Sequence, residues 1–150
     1  MSHAKVRLRG YRADDLDAMY ALDVVCFEPH FRFTRSMMRR FAEVKKARVV
    51  IAESNAELVG FAILHIEGNV GYVVTLDVAM AWRRQGIANL LMEEMERAAQ
   101  ADGCTVILLH VHTENKSAIR FYERRGYVFV ETDEGFYGPG IDASVYSKHL

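Results

Sequence analysis

Apolar positions change period several times along the chain, and each change predicts an element boundary. Residues 5–8 alternate polar and apolar like a short first strand. Leu16, Met19, Leu22 and Cys26 then take helical spacing behind a cap at Asp14 or Asp15. After the irregular stretch 27–33, residues 34–46 have a Thr34 cap and an amphipathic pattern, which predicts a second helix with a basic exposed side. Three β-rich runs follow at 47–53, 57–67 and 70–79. Ser54-Asn55-Ala56 and Gly68-Asn69 separate them with turn chemistry, so they read as an antiparallel meander. Residues 86–102 form a strongly amphipathic helix, with Ile87, Leu91, Met95 and Ala98 on one side and Gly103 as its stop. A buried strand at 104–111, a short helix at 115–125 closed by Gly126, and strands at 127–131 and 143–148 around the loop GFYGPG complete the pattern. The order β-α-α-β-β-β-α-β-α-β-β defines an α+β fold: a mostly antiparallel sheet between helices on both faces, an α/β/α sandwich.

The chain has 150 residues, 51% of them hydrophobic, with no linker-like tract, so residues 1–150 are expected to form one domain. Nineteen Lys and Arg against 20 Asp and Glu give a net charge of −1, which argues against nucleic acid as the partner. Two distant cysteines, Cys26 and Cys104, suit a reducing compartment, and the cytoplasm is the expected location. No apolar run reaches the 18 or more residues of a spanning helix, and no signal peptide is expected.

Candidate chemistry lies in two segments. Ala81 to Leu91 (AWRRQGIANLL) passes from a strand end to a helix start, where unpaired N–H groups at the positive end of the helix dipole suit a pyrophosphate. Gly86 and Ala88 permit close approach, and Arg83 and Arg84 add countercharge. Neither the P-loop nor the dinucleotide fingerprint is present, and an ordinary basic strand-to-helix turn fits these residues equally well. In the second segment, Asn115 and Tyr122 stand two helical turns apart with Ala118 between them, which puts an amide and a phenol on one face. A helix cap and a core aromatic account for the same two residues.

Together, in this order and spacing, R-x-x-G-x-A and N-x-x-A-x-x-F-Y-x-x-x-G-Y resemble the GCN5-related N-acetyltransferase (GNAT) family over nearly the whole chain. The segments GYVVTLDVAMAWRRQGIA, LLHVHTENKSAIRFYERRGYVFVET and GFYGPGIDASVYSKHL look most like NatE-type and archaeal N-terminal acetyltransferases, and more distantly like bacterial ribosomal-protein-alanine acetyltransferases. The resemblance implies acetyl-CoA as cosubstrate. Its pyrophosphate would lie on Arg84, Gln85, Gly86, Ile87, Ala88 and Asn89 beside Arg83, and its pantetheine along Leu76, Asp77 and Val78. Asn115 would hold the pantetheine arm and Tyr122 would protonate the departing thiolate. A phenol of pKa about 10 suits that role toward a thiolate whose acid is near about 8.5. The resemblance also implies a base at His110 or at Tyr72 through a water, where the bacterial enzymes carry glutamate at the position of His110. A weak base is enough for an N-terminus: at pH 7 roughly one α-amino group in ten is neutral, against about one lysine in two or three thousand. Without the resemblance, His110 reads as a satisfied strand histidine.

The resemblance further implies an acceptor site at the loop Phe27-Glu28-Pro29-His30-Phe31 and at Phe136-Tyr137, with Phe27, Pro29, Tyr72, Phe136 and Tyr137 gripping a peptide N-terminus, that of a ribosomal protein among the possible acceptors. Glu28, Glu131, Asp133 and Glu134 form an acidic loop set that suits a cationic amine or simply a solvated surface. His110 and His112 share a strand face without a third ligand, and both cysteines read as small core residues, so no metal and no acyl-enzyme are expected. Met80 and Ala88 stand where many relatives have proline and glycine, and the Gly138-Pro139-Gly140 loop is shorter than in the NatE-type enzymes. The expectation is therefore direct acetyl transfer to protein or peptide N-termini in a ternary complex. Transfer to a small-molecule or lysine amine, or a non-catalytic acyl-CoA-binding module, are the alternatives.

Overall fold

A computed structural model describes residues 5–150. In chain order the elements are β1 (Arg7–Gly10), α1 (Leu16–Cys26), α2 (Arg35–Glu43), β2 (Ala47–Ser54), β3 (Glu57–Glu67), β4 (Val70–Val78), α3 (Ile87–Ala101), β5 (Val106–His112), α4 (Lys116–Arg124), β6 (Val128–Gly138) and β7 (Ile141–His149). The strands form one sheet in the order β1-β2-β3-β4-β5-β7-β6. All its neighbours are antiparallel except β4 and β5. The predicted element order and the helices on both faces are what the structure has.

Two apolar clusters hold the layers together. On one face Leu91, Met92, Met95 and Ala99 of α3 pack with Leu64, Ile107 and Leu109 of the sheet, and α4 adds Tyr122. On the other, Leu16 and Met19 of α1 and Met38 and Ala42 of α2 cover Ile51, Phe61 and Ile63. The strands alternate between these clusters, as period-2 burial requires. One break in the alternation matters for the site. The β3–β4 register slips where Ile63 faces Thr75 and Leu64 faces Val73, which leaves Val74 as a bulge. Beyond it Thr75 and Asp77 point to the α1 side, while Leu76 and Val78 join the α3 cluster.

Several boundaries differ from the sequence pattern. The first strand lies at Arg7–Gly10 rather than 5–8. The Asp15 side chain does not cap α1; it accepts from the Arg12 N–H at 2.7 Å and from both terminal nitrogens of Arg9, whose Nε also reaches Glu53 at 2.8 Å. Thr34 does cap α2, accepting from the Met37 N–H at 3.1 Å, but the helix stops at Glu43 because Val44 is already extended. The last hairpin is longer than expected. Register shifts at Phe129/Glu131 and Asp133/Gly138 let β6 continue through most of the predicted GFYGPG loop and through the acidic residues 131–134.

Gly60 sets how closely β3, β4 and α3 approach. A Cβ there would stand 2.9 Å from the Asp77 carbonyl oxygen and 3.3 Å from the Ile87 side chain. Backbone cannot yield as a flexible side chain does, so Gly60→Ala is expected to destabilise the fold by about 1–3 kcal/mol. A lower urea midpoint at unchanged slope is the measurement, and an unchanged midpoint would contradict this packing.

Candidate active site

The site begins where two parallel strands separate. Only Val70 to Val73 of β4 pair with Val106 to Leu109 of β5. Past that point β4 continues on β3 to Val78, and β5 continues on β7 to His112. The strands splay into a cleft whose walls carry backbone N–H and C=O groups that no neighbouring strand satisfies. Ligands of open sheets collect at such carboxyl ends of parallel strands.

The turn after β4 lies at the end of this cleft. Arg84 and Gly86 take positive φ, 62° and 83°, which turns the chain sharply into α3. No side chain caps α3, no acid sits in its first turn, and the first helical bond runs from the Leu90 N–H to the Gly86 carbonyl at 3.0 Å. The N–H groups of Ile87, Ala88 and Asn89 therefore lack helical acceptors at the positive end of a 15-residue helix. Arg83 Nε donates to the Val78 carbonyl at 3.2 Å and Gln85 Nε2 to the Ala81 carbonyl at 3.1 Å, which braces the turn. Arg125 ties the Asn89 side chain, at 2.9 Å, to Glu96, at 3.0 Å. Arg83 and Arg84 are exposed beside these amides.

Residues after β5 face the same cleft end. Asn115 caps α4, its Oδ1 accepting from the Ala118 N–H at 3.2 Å. The cap reading is thus correct, and the other atom of the amide, Nδ2, makes no hydrogen bond among the described residues. Tyr122 is a core residue whose hydroxyl makes no hydrogen bond among the described residues. Burial foremost, then the neighbouring Tyr137 and Asp77, push its phenol well above the ordinary range, so it stays protonated. Leu76 and Val78 lie on this face, whereas the Asp77 side chain points away and leaves only its backbone on the strand edge.

A second group forms at the base of the splay. Tyr72 Oη lies 2.7 Å from His110 Nδ1, and His110 Nε2 lies 3.0 Å from Asp133 Oδ2. With the imidazole proton on Nε2, His110 donates to Asp133 and its Nδ1 accepts from Tyr72. Phe136 stacks on the imidazole at 3.8 Å and 9°. Burial, followed by the negative charge of Asp133, pushes the Tyr72 phenol up to about 12. Tyr72 is therefore a neutral hydroxyl hydrogen-bonded to His110 Nδ1, not a group that holds a negative charge.

Beside this chain lies an aromatic wall. Phe31 meets Tyr137 edge-on at 4.7 Å and His112 at 4.9 Å, and Phe136 meets Tyr137 at 4.9 Å. Burial, then Tyr72, raises the Tyr137 phenol. Of the expected acceptor residues, Tyr72, Phe136 and Tyr137 come together here. Phe27 is half-buried and Pro29 exposed at the start of a single helical turn, and the residue of that loop that joins the wall is Phe31. Asp133 as a histidine partner and His112 as a wall residue escaped the sequence reading, which places Phe31 in the acceptor loop. The signal for Asp133 was cross-strand register, which the bulges of β6 conceal. Glu28, Glu131 and Glu134 remain exposed. Cys26 Sγ approaches the Val78 carbonyl at 3.4 Å and Cys104 is buried; burial raises both thiols. Among the described residues no group of three or more His, Cys, Asp or Glu is arranged to hold a metal.

A splayed parallel pair, an amide-lined turn at its end and an unpartnered phenol beside it define an acyl-CoA N-acyltransferase fold. The family model of the Acetyltransferase (GNAT) family matches residues 16–127, and the chain belongs to that family. It is 29% identical over 137 residues to N-alpha-acetyltransferase 60 of Xenopus tropicalis, which covers 76% of this chain and 56% of the frog protein. The chain thus spans little more than half of that relative's length. Arabidopsis thaliana Naa50 in complex with the bisubstrate analogue CoA-Ac-MVNAL superposes with a TM-score of 0.82 at 26% identity, over 97% of this chain and 99% of that one. The ribosomal-protein-S18-alanine N-acetyltransferase of Escherichia coli shares the fold, with a TM-score of 0.87 at 18% identity over 97% and 94% of the two chains.

The proton chain makes a checkable statement about Tyr72. Spectrophotometric titration of the wild type minus Tyr72→Phe isolates one phenol, expected to ionise near 12. Asp133→Asn removes a neighbouring negative charge and is expected to move that midpoint down. A midpoint that ignores Asp133 would show that the two groups do not communicate.

Proposed function

We propose that this chain transfers an acetyl group from acetyl-CoA to the α-amino group of a protein or peptide N-terminus, directly, with both substrates bound. The observation that carries this reading is the Tyr72–His110–Asp133 chain at the fork of β4 and β5, facing a cleft whose far end is lined with unsatisfied amides. Family membership and the Naa50 relative, solved with a CoA–peptide analogue, support it.

Acetyl-CoA would supply an acyl group already activated as a thioester. The amides of Ile87, Ala88 and Asn89, with Arg83 and Arg84 beside them, fit a pyrophosphate. The free edge of β4 from Leu76 to Val78 offers backbone partners to a pantetheine amide, and Asn115 Nδ2 offers a donor. An amine entering past Phe31, Phe136 and Tyr137 meets the Tyr72 hydroxyl first. As the amine nitrogen bonds to the acyl carbon, its proton passes to the Tyr72 oxygen while Tyr72 gives its own proton to His110 Nδ1; Asp133 stabilises the imidazolium. When the carbon–sulfur bond breaks, Tyr122 delivers its proton to the sulfur. No covalent enzyme intermediate is needed, and Cys26 and Cys104 take no part.

The wall suits the first side chain of a peptide more than a bare polyamine, because it is built from the rings of Phe31, Phe136 and Tyr137. A ribosomal-protein N-terminus is one acceptor to include, since the E. coli S18-alanine enzyme shares the fold. The two free cysteines support a reducing compartment such as the cytoplasm.

A thiol-release assay with N-terminal peptides, N-blocked lysine peptides and polyamines tests the reading. N-terminal peptides are expected to turn over and the others not; turnover confined to the others overturns it. Tyr122→Phe and His110→Ala are each expected to lower kcat by about 10²–10⁴-fold with a much smaller change in acceptor KM. Full activity of Tyr122→Phe would remove the phenol from the mechanism.

A further inference from the structure

Asp23 of α1 and Asp77 of β4 are 0% and 1% exposed, yet neither has a cationic hydrogen-bond partner among the described residues. Asp77 Oδ1 accepts from Thr75 Oγ1 at 2.5 Å, and Asp23 Oδ2 accepts from the Phe33 N–H at 2.9 Å. The two remaining oxygens, Asp23 Oδ1 and Asp77 Oδ2, are sealed from solvent and accept from no donor among the described residues. Cys26, three residues after Asp23 on α1, reaches the carbonyl of Val78, the residue after Asp77, at 3.4 Å, and the two carboxyl groups face each other across this contact. Two carboxylates without a proton between them would be mutually repulsive and desolvated, which the fold cannot support. A single proton removes one charge and supplies the missing donor at the same time.

We propose that Asp23 and Asp77 share one proton in a carboxyl–carboxylate hydrogen bond that latches the loop at residues 27–33 onto strand β4, which makes both of them positioning residues for the acceptor. The acceptor clause rests on the function proposed above; the latch does not. The latch works through short connections. Asp23 grips the Phe33 N–H, and two residues earlier Phe31 packs on Tyr137 and His112. Asp77 lies on the strand segment whose free edge lines the cleft. One buried bond therefore sets the spacing between the acceptor wall and the cofactor strand.

The charged and titratable neighbours fix where the proton sits. Arg32 faces Asp23 from the loop, Arg83 faces Asp77 from the turn before α3, Cys26 lies near Asp77 at the end of α1, and Tyr122 approaches from α4. Burial raises both acids. The charge of Asp23 raises Asp77 further. Because the folded value of Asp77 is raised, the contribution of the pair is complete at low pH and is lost as pH rises through that folded value. Above it two negative charges face each other and the loop is released.

Infrared spectroscopy at neutral pH tests the shared proton without reference to activity. A protonated-carboxyl stretch is expected in the wild type and absent in Asp77→Asn; no such band, or a band that survives the substitution, overturns the shared proton. Amide hydrogen exchange tests the latch. Asp23→Ala is expected to speed exchange at Phe33 by at least about tenfold, and Asp77→Asn, whose amide still donates to Asp23, is expected to remove the loss of Phe33 protection, taken relative to the base-catalysed exchange of an unprotected amide, that the wild type is expected to show as pH rises. Exchange at Phe33 that is equal in wild type and Asp23→Ala overturns the latch. With a competent acceptor, Asp23→Ala is expected to raise acceptor KM by about three- to tenfold and acetyl-CoA KM by less than about twofold; equal effects on both substrates overturn the positioning role. Should no N-terminal peptide turn over while the band and the Phe33 protection persist, the functional reading fails and the latch stands.

Discussion

The site depends on one constraint: a parallel pair of strands that stays together for four residues and then must part. β4 and β5 are held at Val73 and Leu109 and pulled to opposite partners beyond them, β3 on one side and β7 on the other. The bulge at Val74 adds to this by changing which side chains face which layer. Without it Leu76 and Val78 would not join the α3 cluster, and Asp77 would not reach α1. The cleft is thus a product of sheet register, and the residues around it are placed by strand phase more than by any local motif. Gly60 belongs to the same constraint, since it lets the Asp77 backbone and the start of α3 approach β3 together.

Much of this was legible in the sequence because periodicity reports layers well. The meander, the amphipathic α3 and the α4 segment with Asn115 and Tyr122 all followed from spacing, and the basic turn showed as a break between two periods. The resemblance then supplied roles for those residues that spacing alone left open. What the sequence concealed was contact across strands. Tyr72 and His110 are 38 positions apart, and His110 and Asp133 are 23 apart. Their pairing depends on a parallel register and on irregularities in β6, and neither leaves a hydrophobic signature. The acidic stretch 131–134 illustrates the cost. As a loop it read as a diffuse field, whereas as a bulged strand it turns Asp133 inward toward one imidazole and leaves Glu131 and Glu134 in solvent.

The acidic groups also divide into kinds that composition cannot separate. Asp133 partners a histidine and is partly exposed, so its charge is supported by water and by the imidazole N–H. Asp15 is held by Arg9, whose hydrogen bonds keep its carboxyl below the ordinary range. Asp23 and Asp77 have only each other and single neutral donors, which is why burial dominates their titration. A net charge of −1 averages over these three situations, and only the partner of each carboxyl says what it does.

The tyrosines show the same logic in reverse. Tyr72, Tyr122 and Tyr137 are all pushed upward by burial, so none of them is poised to lose its proton at neutral pH. Their roles must then come from hydrogen-bond direction. Tyr72 donates to an acceptor, His110 Nδ1, and so has a lone pair free to receive a proton while passing its own onward. Tyr122 has no acceptor among the described residues, which leaves its O–H for whatever occupies the cleft. Two phenols with similarly raised pKa values can serve as relay and as acid within one cleft because β5 supplies one of them with a base and α4 leaves the other without one.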